Sequence, residues 1–432
     1  MDWKIKFSSP AEAIKAIKAN DHVVFSHAAA IPRLVPGELA ARKENYHNVL
    51  IYHMLSLGEG EYLQPGLQAH FRHVTNFAGA NSRQALAEGW ADFLPCFFKD
   101  VPGMLGGAFP VDVAVIQVST PDDEGFCSFG VSCDYTKPAA EKASIVIAEM
   151  NENMPRVGGD NKIHVSGIDH VIPCAYPLPV LPPPRITGVE EEIGRHCASL
   201  VEDGSTLQLG IGAIPDAVLL FLKGKKDLGI HTEMFSDGVV GLVEAGVITG
   251  KRKTLHPGKL VATFVMGTRG LYDFVDRNPD VELYPVDYVN DPWIIARNDK
   301  MVSINSCIEV DLTGQVASES MGLKQFSGTG GQVDYARGAA LSRGGKSIMA
   351  MPSTAVRGAK SRIVPFLAEG AAVTTSRNDV DHVVTEYGIA RLKGKTLKQR
   401  AESLIRVAHP DFRESLQQEF NKRFKSSCNY SS

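Results

Sequence analysis

The sequence has few cysteines, and none of them stand in the paired spacing of a thiolate metal site. The seven cysteines among 432 residues are scattered, odd in number and free of any CxxC pair. Disulfide-rich scaffolds and zinc domains depend on such pairs. The pattern argues against both, and we expect reduced thiols in a cytoplasmic protein.

Long hydrophobic runs and clusters of positive charge are also missing. The apolar run at residues 217–222 (AVLLFL) is far shorter than the roughly 20 residues that cross a bilayer. The opening MDWKIKFSSP lacks the apolar stretch of a signal peptide. The formal net charge is −4, with acids and bases interspersed. We therefore expect a soluble intracellular protein that binds neither a membrane nor nucleic acid.

Familiar catalytic signatures are absent as well. The sequence contains no HExxH, no GxSxG and no Cys/His signature of a hydrolase nucleophile. His164 and His170 lie in the segment KIHVSGIDHVIP and are interpreted as packed or surface groups. We therefore predict no metal site and no site organised by histidines.

Short β-rich apolar runs alternate with helical patterns along the whole chain. Several of the runs are apolar on both faces, which is typical of strands covered by helices on both sides of a sheet. This alternation indicates an α/β fold with mainly parallel sheets. The strands are expected at 22–25, 49–55, 73–77, 111–119, 143–150, 206–212, 228–233, 260–267, 281–286, 301–306, 346–353 and 382–388.

A proline-rich segment divides the sequence into two halves. Residues 171–190 (VIPCAYPLPVLPPPRITGVE) contain six prolines. Each proline fixes φ and removes a backbone donor, so the segment is predicted to be a linker rather than a helix or a central strand. The predicted domains are residues 1–185 and 186–432, the second opening with an amphipathic helix. The similarity of VVFSHAAAIP to LQLGIGAIP favours two related α/β domains in tandem.

Two glycine-rich stretches are candidates for anion binding. GIGAIPDAV (210–218) suits a tight strand-to-helix turn whose backbone N–H groups hold a phosphate or an oxyanion. It is not a dinucleotide fingerprint, because Pro215 stands where GxGxxG needs its third glycine. QFSGTGGQVDYARGA (325–339) suits a nest of backbone amides. A tight turn without a ligand and a flexible surface loop are the respective alternatives.

A basic stretch, STAVRGAKSRIV (353–364), follows another predicted strand. A solvated basic turn is the ordinary interpretation, although a phosphate-rich ligand would suit these cations. The three basic residues are Arg357, Lys360 and Arg362.

An isolated acid, Glu233, stands at the end of a predicted strand in LGIHTEMFSDGVV (228–240), followed by a predicted turn at Ser236–Gly238. Ligands of an open parallel sheet bind beyond the carboxyl ends of its strands, so Glu233 would point into such a crevice. A capping or salt-bridged acid is the ordinary alternative. Glu386, at another strand end, is interpreted as a structural carboxylate. The two glycine loops favour a functional role for Glu233.

Six segments together resemble the acetyl-CoA hydrolase/transferase family, in particular the branch containing 4-hydroxybutyrate CoA-transferases and butyryl-CoA:acetate CoA-transferases. They span nearly the whole chain in the family's order. The resemblance implies two tandem α/β domains of the CoA-transferase type, with the active site between them, and a homodimer. The segments are DVAVIQVSTPDDEGFCSFG, GIGAIPDAV, HTEMFSDGVV, SINSCIEVDLTGQV, GTGGQVDYARGA and TEYGIARLKGKTLKQRA.

The resemblance also implies the residues of a site. Glu233 is implied as the catalytic glutamate, and Asn290 as a polar contact to the acyl group. No metal is implied, and no cofactor beyond the CoA thioester substrate. The implied CoA contacts are Gly210, Ile211, Gly212, Ala213, Ile214, Ile308, Gly331 and Lys360.

A carboxylate in a dry crevice loses part of the hydration shell that would otherwise weaken it as a nucleophile. This chemistry agrees with a catalytic role for Glu233. We hypothesise that Glu233 attacks the thioester of a short-chain acyl-CoA, butyryl- or 4-hydroxybutyryl-CoA, and that acetate accepts the CoA through a glutamyl–CoA thioester. Three alternatives are acyl-CoA hydrolysis by the same glutamate, a nucleotide-binding oxidoreductase and a non-catalytic CoA-binding module. The preferred acid is not evident, since one methylene is worth only about 1–3 kcal/mol.

Overall fold

The computed structural model describes residues 6–424, and a parallel sheet of seven strands lies at the centre of the first half of the chain. The strands of this half are β1 (His22–Phe25), β2 (Val49–Tyr52), β3 (Phe71–Thr75), β4 (Ala91–Phe93), β5 (Val113–Val118), β6 (Phe126–Ser128), β7 (Ile145–Asn151), β8 (Gly158–Gly159), β9 (Lys162–His164) and β10 (His170–Cys174). The sheet has the order β10-β7-β5-β1-β2-β3-β4, with every neighbouring pair parallel.

A larger sheet of nine strands lies at the centre of the second half. Its order is β27-β26-β22-β17-β11-β12-β14-β16-β8, and only the β26–β27 pair is antiparallel. The strands that follow β10 are β11 (Thr206–Leu209), β12 (Gly229–His231), β13 (Met234–Phe235), β14 (Leu260–Ala262), β15 (Phe264–Val265), β16 (Val281–Leu283), β17 (Met301–Ser306), β18 (Glu309–Asp311), β19 (Val316–Ala317), β20 (Ser320–Met321), β21 (Lys324–Gln325), β22 (Lys346–Ala350), β23 (Thr354–Ala355), β24 (Lys360–Ser361), β25 (Ile363–Val364), β26 (His382–Thr385) and β27 (Gly388–Arg391).

Helices connect these strands. Thr187 and Glu190 form a capping box at the start of α6, so the expected helix after the linker is confirmed and has a local cause. Within the described part of the chain, no helix combines the length and apolar character needed to span a membrane. The α-helices are α1 (Pro10–Ala13), α2 (Leu34–Ala41), α3 (Arg83–Ala87), α4 (Val101–Met104), α5 (Thr136–Lys142), α6 (Gly188–Ser199), α7 (Ala213–Leu220), α8 (Asp237–Glu244), α9 (Arg269–Val275), α10 (Val286–Val289), α11 (Pro292–Ile295), α12 (Gln332–Leu341), α13 (Leu397–Val407) and α14 (Pro410–Arg423).

The predicted α/β class with mainly parallel sheets is confirmed. Each expected strand overlaps an observed one, and β1 and β17 have the predicted bounds. All six residues of β5 are buried, as expected for a strand covered on both faces. Two expected strands are shorter than predicted. The first ends at His231 and is followed by β13, and the second is interrupted at Thr263 and followed by β15; β13 and β15 pair with each other.

Two local predictions are wrong. Residues 171–174, assigned to the linker, belong to strand β10 at the edge of the first sheet. Pro173 is tolerated there because an edge strand leaves one side of its backbone unpaired. The segment at 236–238, expected to be a turn, contains the start of a helix: Ser236 is the N-cap and α8 begins at Asp237.

The two halves share a core and exchange backbone contacts. Strand β8, from the first half, pairs with β16 at the edge of the second sheet. The largest apolar cluster includes Ala29 and Val131 together with side chains of the second half. The N–H of Val265 donates to the carbonyl of Val131 at 2.8 Å. These contacts fix the loops of both halves around one crevice, while the predicted division at residue 185 stays a prediction.

Candidate active site

The carboxyl ends of the central strands in the second sheet bring several predicted site residues to one edge. Strand β11 leads into the turn at 210–212 and then α7, which begins with Ala213 and Ile214. Strand β12 leads to Glu233, and strand β17 leads to Ile308. These three strands are parallel neighbours in the sheet, so their ends face the same side. This is the edge at which open α/β sheets bind ligands.

Two donors of the second half hold the half-buried carboxylate of Glu233. The Nδ2 of Asn290, the residue that ends α10, donates to Glu233 Oε2 at 2.8 Å. The backbone N–H of Gly331, immediately before α12, also donates to this carboxylate. The Glu233 carbonyl accepts from Thr263 and Phe264, which fixes the backbone below the side chain. The orientation of the carboxylate is therefore set by its neighbours.

Close packing explains two glycines in the loop before α12. A Cβ atom at Gly331 would overlap Glu233 Oε2 and Asn290 Nδ2. A Cβ atom at Gly328 would overlap the carbonyl oxygen of Asn76 in the first half. The same loop is tied to that half by the N–H of Ala78, which donates to the carbonyl of Ser327 at 3.1 Å. Glycine is required here for close approach.

A buried pair from the first half lies beside the carboxylate. His27 Nδ1 and Asp134 Oδ2 are 2.9 Å apart, and both side chains are almost fully buried. Asp134 also accepts hydrogen bonds from the Ser132 hydroxyl and from the N–H groups of Tyr135 and Thr136. The charges of His27 and Asp134 both act on Glu233. His27 therefore belongs to the electrostatic surroundings of Glu233, and the sequence analysis did not single it out.

The surroundings bring the ionisation of Glu233 close to neutral pH. Burial is the largest effect and raises the pKa of Glu233 to about 7. The hydrogen bond from Asn290, the charge of His27 and the Gly331 N–H act in the opposite direction, and Asp134 raises the pKa further. A carboxylate that is desolvated and yet oriented by fixed donors can act as a nucleophile or a general base.

The turn at 210–212 borders a cavity at this edge. The cavity has a volume of about 620 Å³ and is lined by Ile211, Gly212, Met234 and the linker residues Leu181–Pro184. Ile211 and Gly212 are exposed, and Gly212 has a φ of +112°, which favours glycine. The turn therefore presents its backbone to a space that reaches the residue after Glu233.

The remaining predicted residues lie farther from the carboxylate. Ile308 is half-buried, and its N–H donates to the carbonyl of Ala317. Lys360 is exposed on the hairpin formed by β23 and β24, outside the group that contacts Glu233. Glu386 accepts the N–H of Ser353 at 2.8 Å, which agrees with a structural carboxylate. Within residues 6–424, no three His, Cys, Asp or Glu side chains are grouped as metal ligands.

Two interlocked α/β halves that meet over one oriented carboxylate define the class of protein, the CoA-transferases. The profile of the acetyl-CoA hydrolase/transferase N-terminal domain matches residues 1–182, and that of the C-terminal domain matches residues 267–420. The chain therefore belongs to the acetyl-CoA hydrolase/transferase family, as the resemblance predicted.

Individual relatives agree with this assignment. The 4-hydroxybutyrate coenzyme A transferase of Clostridium kluyveri is 60% identical over 98% of this chain and all of the relative. The butyryl-CoA:acetate CoA-transferase of Anaerostipes caccae is 37% identical over 96% of each chain. The crystal structure of 4-hydroxybutyrate CoA-transferase from Porphyromonas gingivalis has a TM-score of 0.86 and 48% identity, covering 98% of this chain and 99% of that one. All three relatives are named for CoA transfer.

Proposed function

We propose that the protein transfers CoA between a short-chain acyl-CoA, butyryl- or 4-hydroxybutyryl-CoA, and acetate, through a thioester between CoA and Glu233. The observation that carries the proposal is the state of Glu233: a desolvated carboxylate, oriented by Asn290 and Gly331, at the place where the two halves meet. The names of the similar enzymes motivate the choice of substrates. A homodimer and a cytoplasmic location are part of the same proposal.

The reaction begins when a Glu233 oxygen attacks the thioester carbonyl of the acyl-CoA. The carbon–sulfur bond breaks, leaving a glutamyl–acyl anhydride and CoA thiolate. The thiolate then attacks the glutamyl carbonyl, which releases the first carboxylate and leaves CoA on Glu233. Acetate attacks this thioester, and the same steps in reverse yield acetyl-CoA. Bonds and charges balance without a net proton transfer, since each step exchanges one anion for another.

Asn290 and Gly331 have a defined task in these steps. They donate to the carboxylate in the free enzyme, and the same N–H groups would donate to the glutamyl oxygen when the thiolate adds to its carbonyl carbon. Donors fixed in advance stabilise such charge without reorganising, and one is worth roughly 3–4 kcal/mol where measured. The donors therefore serve both the attacking carboxylate and the later tetrahedral intermediate.

The cavity beside the turn at 210–212 provides a place for part of the CoA. Its volume of about 620 Å³ lies within the usual range for small-molecule sites, roughly 300–1,000 Å³. The free N–H groups at the start of α7 favour electronegative atoms. Contacts made here, away from the reacting carbon, supply binding energy that positions the thioester at Glu233.

A two-substrate assay tests this function. Purified enzyme is given butyryl-CoA or 4-hydroxybutyryl-CoA, and acetyl-CoA is measured as the acetate concentration is varied. We expect acetate-dependent formation of acetyl-CoA and parallel double-reciprocal plots, because CoA is held on the enzyme between two half-reactions. Release of free CoA at the same rate with and without acetate would instead support the hydrolase alternative.

Removing the amide donor should alter both rate and pH dependence. In Asn290→Ala, Glu233 loses the hydrogen bond that favours its ionised form, so its pKa should rise above about 7. Because the ionised form attacks, the rising part of the kcat profile should shift to higher pH. Loss of one such donor should lower kcat at neutral pH about 100- to 1,000-fold. A folded variant with an unshifted profile would exclude this role for Asn290.

A further inference from the structure

Asp334 is a buried acid near Glu233 that the proposed reaction does not use. It lies in the first turn of α12, three residues after Gly331, and its side chain is 1% exposed. Its carboxyl group accepts the backbone N–H of Lys99 from the first half. Its Oδ2 has no hydrogen-bond partner within the described part of the chain. A buried carboxylate would be expected to satisfy both oxygens, so this arrangement suits a neutral acid.

The charge of Glu233 acts on Asp334. Two neighbouring carboxyl groups in one crevice do not ionise independently, since the charge on one disfavours the charge on the other. Burial and then the charge of Glu233 raise the pKa of Asp334 to about 8, above the value of about 7 for Glu233. An ionised Glu233 therefore favours the protonated form of Asp334.

We propose that Asp334 is a positioning residue that must remain protonated for Glu233 to exchange CoA. The proposal rests on the function proposed above. Both anions that approach Glu233, a carboxylate and the CoA thiolate, enter a crevice that already holds one negative charge. A second charge in the first turn of α12, three residues after the Gly331 donor, would repel both of them and the negative intermediate. The neutral acid keeps the net charge of the crevice at that of Glu233 alone.

Asp334 and Glu233 are two neighbouring groups whose pKa values lie near neutral pH. From the first half, Lys99 lowers the pKa of Asp334 and Asp100 raises it. Burial raises the pKa of the Cys96 thiol to about 11 and that of Tyr335 well above its usual value, so both stay neutral. Lys99 and Asp100 form an ion pair at 2.6 Å on the surface of the first half.

The pH profile of kcat/KM tests the proposal, measured between pH 6 and 10 with butyryl-CoA and acetate. The kcat/KM of the native enzyme should rise with ionisation of Glu233 and then fall by about fivefold between pH 8 and 9, as Asp334, whose pKa is about 8, loses its proton. Asp334→Asn cannot ionise and should lack the falling part. If the kcat/KM profile of Asp334→Asn still fell at the same pH, or if its kcat/KM were reduced equally at every pH, the proposal would be overturned.

Two variants outside the reacting group provide a second test if Asp334→Asn does not fold. Lys99→Met should move the falling part to higher pH, and Asp100→Asn should move it to lower pH, because they remove opposite influences on Asp334. Identical profiles for both variants would reject the proposal. Failure of the proposed function is recognised separately, by the absence of CoA on Glu233 in the native enzyme; an adduct together with unmoved profiles refutes the role of Asp334 alone.

Discussion

Replacing Glu233 with alanine should abolish CoA transfer, with a loss of roughly 10⁴-fold or more, as expected when a covalent nucleophile is removed. No neighbour can take over, because the donors around it, Asn290 and Gly331, are oriented toward this one carboxylate. Glu233→Gln should leave at most a trace, since the amide retains the shape but not the attacking oxygen. Acetyl-CoA formation from butyryl-CoA and acetate measures the loss.

The two Glu233 variants also separate the alternatives. Thermal unfolding close to that of the native protein would show that the loss is chemical, and retained binding of acyl-CoA would show that the crevice is intact. A CoA-binding module has no need of an acid at this position. Native transfer or an unchanged phenotype in folded Glu233→Ala would therefore favour a non-catalytic protein or a different nucleophile.

Replacing Gly331 with alanine should have the second largest effect. The added methyl group would overlap Glu233 Oε2 and Asn290 Nδ2, so the carboxylate and its donor have to move apart. Misplacement by about 1 Å can cost 100-fold in rate, and we expect a fall in kcat of at least about that size. Steady-state kinetics of the purified variant measure this change. Overpacking should also lower the free energy of unfolding by about 1–3 kcal/mol.

A matched glycine provides the control. A Cβ atom at Gly188, the first residue of α6, has no heavy atom within 4 Å, so Gly188→Ala should keep native kinetics. If Gly331→Ala and Gly188→Ala were equally active, the loop before α12 would be free to move away from Glu233. The proposal that this loop orients the Glu233 carboxylate would then be wrong.

Much of the fold was readable from the sequence because its strands are local apolar runs. Strand β17 has the predicted bounds, and the capping box at Thr187 marks the start of α6. The strand at residues 170–174 was misassigned because proline content alone does not reveal a sheet edge. The pairing of β8 with β16 was equally hidden, since a two-residue Gly-Gly strand has no periodicity to detect.

The site was readable only in part. Glu233 could be singled out because a polar residue at the end of an apolar strand is a local signal. The pair of His27 and Asp134 is separated by 107 positions, and no spacing in the sequence indicates that it lies beside Glu233. The glycine loop was interpreted as either an anion-binding nest or a flexible surface loop, and the structure adds a steric reason for Gly331: there is no room for a side chain beside the carboxylate. Such a reason depends on tertiary contacts.

The most direct measurement is the mass of the enzyme during turnover. The native protein is incubated with acyl-CoA in the absence of acetate, the adduct is trapped, and the peptides are sequenced by mass spectrometry. We expect the mass of CoA on the peptide that contains Glu233, and its removal when acetate is added before trapping. Label on Cys307 instead, or an unmodified Glu233 peptide under conditions of rapid turnover, would contradict the account.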